Sequence, residues 1–316
     1  MTHIQRPCNL NKTWTDWSKF WAAILVAISH YSTYVCITNH YSDSAFLRLW
    51  CQGGNLGVAL FFFLSGYGLM ESESKHHLGL KEFIKKRFFK VYLPVLLVSA
   101  FWIPICLFFS SHYHPVSLYV ILYDVLWGGN DSVLWFVKIL FALYGLFFIY
   151  SSIRLHGAFS LVILLMGSFL IMWIAIEAGY PYINIPLFSA GVMASHFKEN
   201  NFLKIPFETL LLLFMSVIIG LVFLFVKDAH VAHGIINYIF VTIVIIIIRL
   251  VPPCETAIMV KVLEYIVPIT YMLYLTHHKV LSFMVWKFGY VSLTTWIAVT
   301  IIVTIILTML SKKLKI

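Results

Sequence analysis

Long, uninterrupted apolar runs divide this chain, and they limit its fold more than any other feature. A bilayer core needs about 20 consecutive apolar residues per helical crossing. Such runs lie near 18–37, 53–71, 90–110, 132–152, 158–177, 182–196, 205–226, 234–251, 262–283 and 291–310. Barrel strands would alternate in polarity. These runs do not, so their backbone groups must be satisfied inside helices. Composition agrees: 61% of residues are hydrophobic and 11% charged, against roughly a quarter charged in soluble domains. Mean hydropathy is +0.91. The expected fold is all-α, a polytopic membrane helical bundle of about ten transmembrane helices. A single membrane-embedded domain is expected over 1–316, with no separate soluble domain. The sixth run is short and opens with the proline-marked YPYINIP, which predicts a broken or tilted helix. A further run at 115–128, too short to cross, is expected as an interfacial or re-entrant segment. The N-terminus lacks the pattern of a cleaved signal peptide.

Cations fix an orientation. If the N-terminus is inside, seventeen of the 22 lysines and arginines fall in inner segments, and only Arg48, Lys227 and Lys287 in outer ones. The positive-inside rule then predicts both termini on the cytoplasmic side of the plasma (inner) membrane. This bias accounts for most of the formal charge of +9. No soluble, aromatic-interleaved basic surface is visible, so no nucleic-acid partner is expected. Five cysteines, Cys8, Cys36, Cys51, Cys106 and Cys254, show no metal-ligand spacing, and no metal is expected. Cys36 and Cys51 flank the first outer loop and could pair outside the cell; two unpaired cysteines are the plainer reading.

A charge at mid-bilayer costs on the order of 2.5–3.5 kcal/mol, so intramembrane polar groups usually face a cavity or a partner. FWAAILVAISHYSTYVC, from Phe20 to Cys36, carries His30 in its middle. On a helix, Ala23, Lys19 and Asp16 fall within about 40° of the His30 stripe, and Tyr34 follows one turn on. His30 lies roughly 20 Å from the cytoplasmic end. A histidine bonded to a neighbouring helix is the plain reading, and the stripe shared with an acid and a base favours a functional one. KEFIKKRFFKVYLP, from Lys81 to Pro94, is an inner loop that brings Lys86, Arg87 and Lys90 to the start of the third span. Such a loop is ordinarily a headgroup anchor. Otherwise it is a phosphate clamp, with Arg87 and Lys90 one turn apart. PITYMLYLTHHKV spaces Tyr271, Tyr274 and His277 by three residues, which makes another polar stripe. In DSVLWFVKILFALY, Trp135 fits an outer aromatic belt. Lys138 lies a turn deeper, able to snorkel outward or to pair with Asp131 or Glu177.

In their order and spacing these segments resemble the integral membrane acyltransferase-3 family, from about Asp16 to residue 283. Asp16, Lys19 and His30 stand where the family's first helix carries aspartate, arginine and histidine. FFFLSGYGL supplies Phe62, Ser65 and Gly66, and RFFKVYLP supplies Arg87, Lys90 and Pro94. LWFVKILFALY resembles the family's Leu-Trp-Phe helix, and TYMLYLTHH its Tyr-x-x-Tyr-Leu-x-His segment ending on His277. The lysines at 19 and 90 depart from the usual arginine; lysine binds phosphate without the bidentate fork.

The resemblance implies an acyl-CoA-dependent O-acyltransferase. It would move an acyl group, usually acetyl, from cytoplasmic acyl-CoA to a hydroxyl of an extracytoplasmic polysaccharide or glycolipid. Acetyl-CoA would be a donor substrate, with no permanently bound cofactor. His30 would be the catalytic general base, its unperturbed pKa of about 6.5 suiting reversible proton transfer. Whether an acyl-histidine forms stays open. Asp16, Lys19, Lys86, Arg87 and Lys90 would bind the donor. Tyr34, Ser65, Trp135, Lys138, Tyr271, Tyr274 and His277 would line the cavity or acceptor site. The expected partners are acyl-CoA, the glycan or glycolipid and the bilayer, and homo-oligomerisation stays open. Family members often add an extracytoplasmic hydrolase-like domain. The sequence to Ile316 has none, so a handover to one would need another protein. Two other readings compete. One is a transporter or flippase for a glycan intermediate, although no inverted repeat is visible. The other is a haem protein with His30 and His277 as axial ligands.

Overall fold

The structure, a computed structural model, describes residues 10, 12–38, 50–51, 53–109, 134–152, 158–197, 229–251 and 256–314. The regular elements among them are all helices: α1 (Lys12–Ile37), α2 (Gly53–Lys75), α3 (Leu80–Phe109), α4 (Leu134–Ser152), α5 (Ala158–Glu177), α6 (Pro186–His196), α7 (Ala229–Leu250), α8 (Ala257–Phe288) and α9 (Leu293–Lys313). Eight of these are long and apolar enough to cross a bilayer, so the chain is a multi-pass helical membrane protein. The expected span at 205–226 and the short run at 115–128 lie outside the described residues.

One expectation is met and one changes. The sixth run yields a non-helical turn followed by α6, only 11 residues long and buried from Pro186 to Ser195, the break that its prolines predict. At about 16 Å α6 alone covers roughly half of a bilayer core. The basic stretch expected as an inner loop is helical and forms the first turns of α3, which continues through Pro94 and Pro104.

The helices are turned as lipid requires. On α5, Val162, Met166, Phe169, Leu170 and Trp173 face outward, while Leu164, Ser168 and Ala175 are buried. On α9, Ile297, Ile301 and Ile305 face outward, while Thr300, Thr304 and Thr308 are buried. With no water to solvate them, several buried hydroxyls use carbonyls of their own helix. Thr242 donates to the Tyr238 carbonyl at 2.8 Å, Thr270 to Ile266 at 3.0 Å and Thr308 to Thr304 at 2.7 Å.

The chain forms two compact units. The first comprises residues 1–26, 52–77 and 142–264. Its centre is the crossing of α2 and α6, which meet backbone to backbone. A Cβ on Gly66 would run into the backbone of Phe188 and Val192, and one on Gly191 into that of Phe63 and Tyr67. Small residues are what permit such an approach between membrane helices. The non-helical turn before α6 is closed by side chains. Asn184 donates to the Asn55 carbonyl at 3.2 Å, Asn237 donates to Asn184 Oδ1 at 2.9 Å, and the Tyr238 hydroxyl donates to the Ile183 carbonyl at 3.1 Å.

The second unit comprises residues 27–51, 78–141 and 265–316. Here side chains bond across to backbone. The Tyr31 hydroxyl donates to the Val291 carbonyl at 2.9 Å, and that of Tyr34 donates to the Gly289 carbonyl at 2.8 Å. Gly289, at φ 73°, turns the chain after α8, a conformation that favours glycine. Tyr31 stacks on Trp296, with ring centroids 5.0 Å apart. The Tyr271 hydroxyl donates to the Val91 carbonyl at 2.8 Å. Pro94 has no N–H to offer the Lys90 carbonyl four residues back.

The α2–α6 crossing has a direct test. Gly66→Val and Gly191→Val should each destabilise the protein by roughly 1–3 kcal/mol or more. Gly68, where an added Cβ meets nothing within 4 Å, should accept alanine without loss. Thermal unfolding in one detergent, followed by size-exclusion profile, separates these outcomes.

Candidate functional site

The second unit brings two of the singled-out histidines together. His277 is fully buried at 0% exposure, and its Nδ1 lies 3.0 Å from the Leu273 carbonyl, one turn back on α8. A carbonyl oxygen only accepts, so Nδ1 carries the proton and, in the neutral ring, Nε2 carries the lone pair. That Nε2 is 2.8 Å from Nδ1 of His30. His30 Nδ1 therefore donates, and the lone pair of His30 lies on Nε2. The hydrogen-bond partners thus dictate both tautomers. The rings are nearly parallel, 10° apart, with centroids separated by 5.0 Å.

The surroundings hold this arrangement in place. The Trp296 indole donates to the His277 carbonyl at 3.2 Å. Thr276, whose hydroxyl donates to the Met272 carbonyl at 2.9 Å, accepts from Thr304 at 2.8 Å. Tyr274 is buried, with its ring beside both His277 and Phe136. His278 stands edge-on to His30, centroids 5.0 Å apart. His30 is half-buried while His277 is sealed. An accessible base oriented by a buried partner is the arrangement that proton transfer to a bound molecule requires.

The remaining expected residues distribute as follows. Tyr34 and Tyr271 have their hydroxyls committed to the Gly289 and Val91 carbonyls. Trp135 and Lys138 are half-buried near the start of α4, with Trp135 edge-on to Phe136. On α3, Lys86 and Lys90 line a groove of about 650 Å³ together with Lys85, Glu82 and Phe89. Arg87 is not among the lining residues; its guanidinium lies over the Phe83 ring at 5.9 Å. The structure thus groups Lys86 with Lys90, four residues apart, where the sequence suggests Arg87 with Lys90. In the first unit, Ser65 is half-buried on α2. There Lys19 Nζ sits 3.7 Å from Asp16 Oδ1, with Lys19 38% exposed. Such an exposed pair contributes little to stability.

Sequence reasoning misses His278, Trp296 and the Leu273 carbonyl. The His277–His278 doublet was a signal for the first. Trp296 looks like an ordinary belt aromatic, and no residue type marks a carbonyl.

Compared with known proteins, residues 12–312 match the family model described as an acyltransferase domain. No curated protein and no solved structure matches the chain.

The tautomers are measurable. Nitrogen NMR of isotopically labelled histidine, in lipid near neutral pH, should show protonated Nδ1 and unprotonated Nε2 for both His30 and His277. In His277→Ala the His30 ring should lose that single-tautomer signature.

Proposed function

The chain belongs to the acyltransferase-3 family, and from that premise we propose that it carries an acetyl group from cytoplasmic acetyl-CoA to a hydroxyl of an extracytoplasmic polysaccharide or glycolipid. That it is a multi-pass membrane acyltransferase follows from the family match and the helices. The family match takes in residues of both compact units, which supports 12–312 working as one acyltransferase domain. The distribution of lysine and arginine supports a plasma (inner) membrane location with both termini cytoplasmic.

The observation that carries the mechanism is the Nδ1–Nε2 hydrogen bond between His30 and His277, anchored on the Leu273 carbonyl. With its lone pair on Nε2, His30 takes the proton from the acceptor hydroxyl as that oxygen attacks the thioester carbonyl. The tetrahedral intermediate collapses, the carbon–sulfur bond breaks, and His30 returns the proton to the departing thiolate. His277 acts as a positioning residue, holding the tautomer and stabilising the transient imidazolium. Lys86 and Lys90, on one groove of α3, suit the phosphates of CoA as point charges. Asp16, Lys19 and Arg87 complete the proposed donor-binding set. Tyr34, Ser65, Trp135, Lys138, Tyr271 and Tyr274 are proposed to shape the acceptor cavity.

Purified protein in lipid nanodiscs, given acetyl-CoA and a glycan acceptor, provides the test. His30→Ala should lower acyl transfer by about 10²–10⁴-fold while membrane insertion and yield stay normal. Full activity in that variant removes the mechanism, and glycan movement without CoA release replaces it with transport. Removing the Lys86 and Lys90 charges together should raise KM for acetyl-CoA with kcat held, most strongly at low ionic strength.

A further inference from the structure

We propose that Cys36 and Cys51 form a disulfide on the non-cytoplasmic side, a covalent staple fastening Cys51 to the outer end of α1. Cys36 lies in the last turn of α1, and the Cys51 thiol donates to its sulfur at 3.1 Å. The sulfurs do not meet through the loop alone. The Cys51 carbonyl accepts from Ser29 at 2.7 Å and from Thr33 at 3.5 Å. Ser29, Thr33 and Cys36 stand at i, i+4 and i+7, one stripe of a helix. A single face of α1 therefore holds both the backbone and the side chain of Cys51.

The side of the membrane fits oxidation. Lys12 and Lys19 mark the other end of α1, and Lys75, Lys81 and Lys85 follow the second crossing. Against these five cations the cysteine end carries only Arg48 in its loop, so the bias places it in the oxidising compartment. The Cys51 thiol is pushed up to about 11, first by burial and then by its hydrogen bond to Cys36 and the Cys36 charge. A thiol so reluctant to ionise is a poor nucleophile or metal ligand at neutral pH, which suits a lasting cross-link better than a catalytic dithiol. Closure is a thiol–disulfide exchange. One thiol opens the disulfide of an extracytoplasmic oxidant, the second displaces it, and the oxidant leaves as a dithiol carrying both hydrogens. The stripe that binds Cys51 flanks His30, so the staple also stiffens the turn that carries that imidazole. The proposal does not depend on the acyl-transfer reading.

The test is peptide mapping of the full-length protein, alkylated with N-ethylmaleimide in its native membrane before solubilisation. The Cys36 and Cys51 peptides should appear joined, unlabelled, and lighter by two hydrogens than the two thiols. Adding a reductant first should split them and label both. In Cys36→Ser, Cys51 should take the label without any reductant, which shows that the reagent reaches it. Label on both cysteines of the unreduced protein overturns the proposal. So does a link from either to another cysteine, or a pair left unlabelled and unlinked.

Discussion

A helix carbonyl can accept a hydrogen bond but never donate one, and in a bilayer it is the acceptor always at hand. Water cannot solvate a buried hydroxyl or imidazole in the core, so a partner inside the protein is strongly favoured. Thr242, Thr270 and Thr308 each turn back onto the carbonyl one turn earlier. His277 does the same with Leu273. For threonine this merely satisfies a donor. For histidine it decides which nitrogen carries the proton, and hence what the other nitrogen offers its neighbour.

Both units bond side chains across to carbonyls, as Asn184 and Tyr238 do in the first, and the first adds a glycine crossing. In the first, glycines remove the side chains between α2 and α6, and contact is backbone on backbone. In the second, Tyr31, Tyr34, Tyr271 and Trp296 reach across to carbonyls on other elements. Such bonds fix both distance and direction, whereas apolar packing fixes chiefly distance. A histidine pair needs direction, and in the second unit bonds of this kind surround it.

Much of this was legible in the sequence, for reasons that also explain the gaps. Crossing helices reveal themselves by length, because only helices satisfy their own backbone in lipid. The sixth run announces its break through its prolines, although hydropathy alone does not separate an apolar turn from the short buried helix that follows. The stretch from Lys81 to Pro94 looks like a loop because charge and proline mark membrane boundaries. Neither stops a helix there: lysines favour one, and α3 continues through Pro94. His30 and His277 stand out singly as polar groups in apolar runs. Their contact spans 247 positions, and helical periodicity relates residues only within one helix. The same limit hides the Cys36–Cys51 approach, whose intervening chain carries no turn signature that sets a distance.

The anchoring of His277 on a carbonyl has one more consequence. A chain of imidazoles conducts protons only if each ring can release on one side what it receives on the other. Here the inner end terminates on an oxygen that has no proton to give and no further acceptor to feed. The two-histidine chain is therefore a cul-de-sac rather than a wire. The base proposed at His30 could therefore exchange a proton locally without opening a path for protons along the pair.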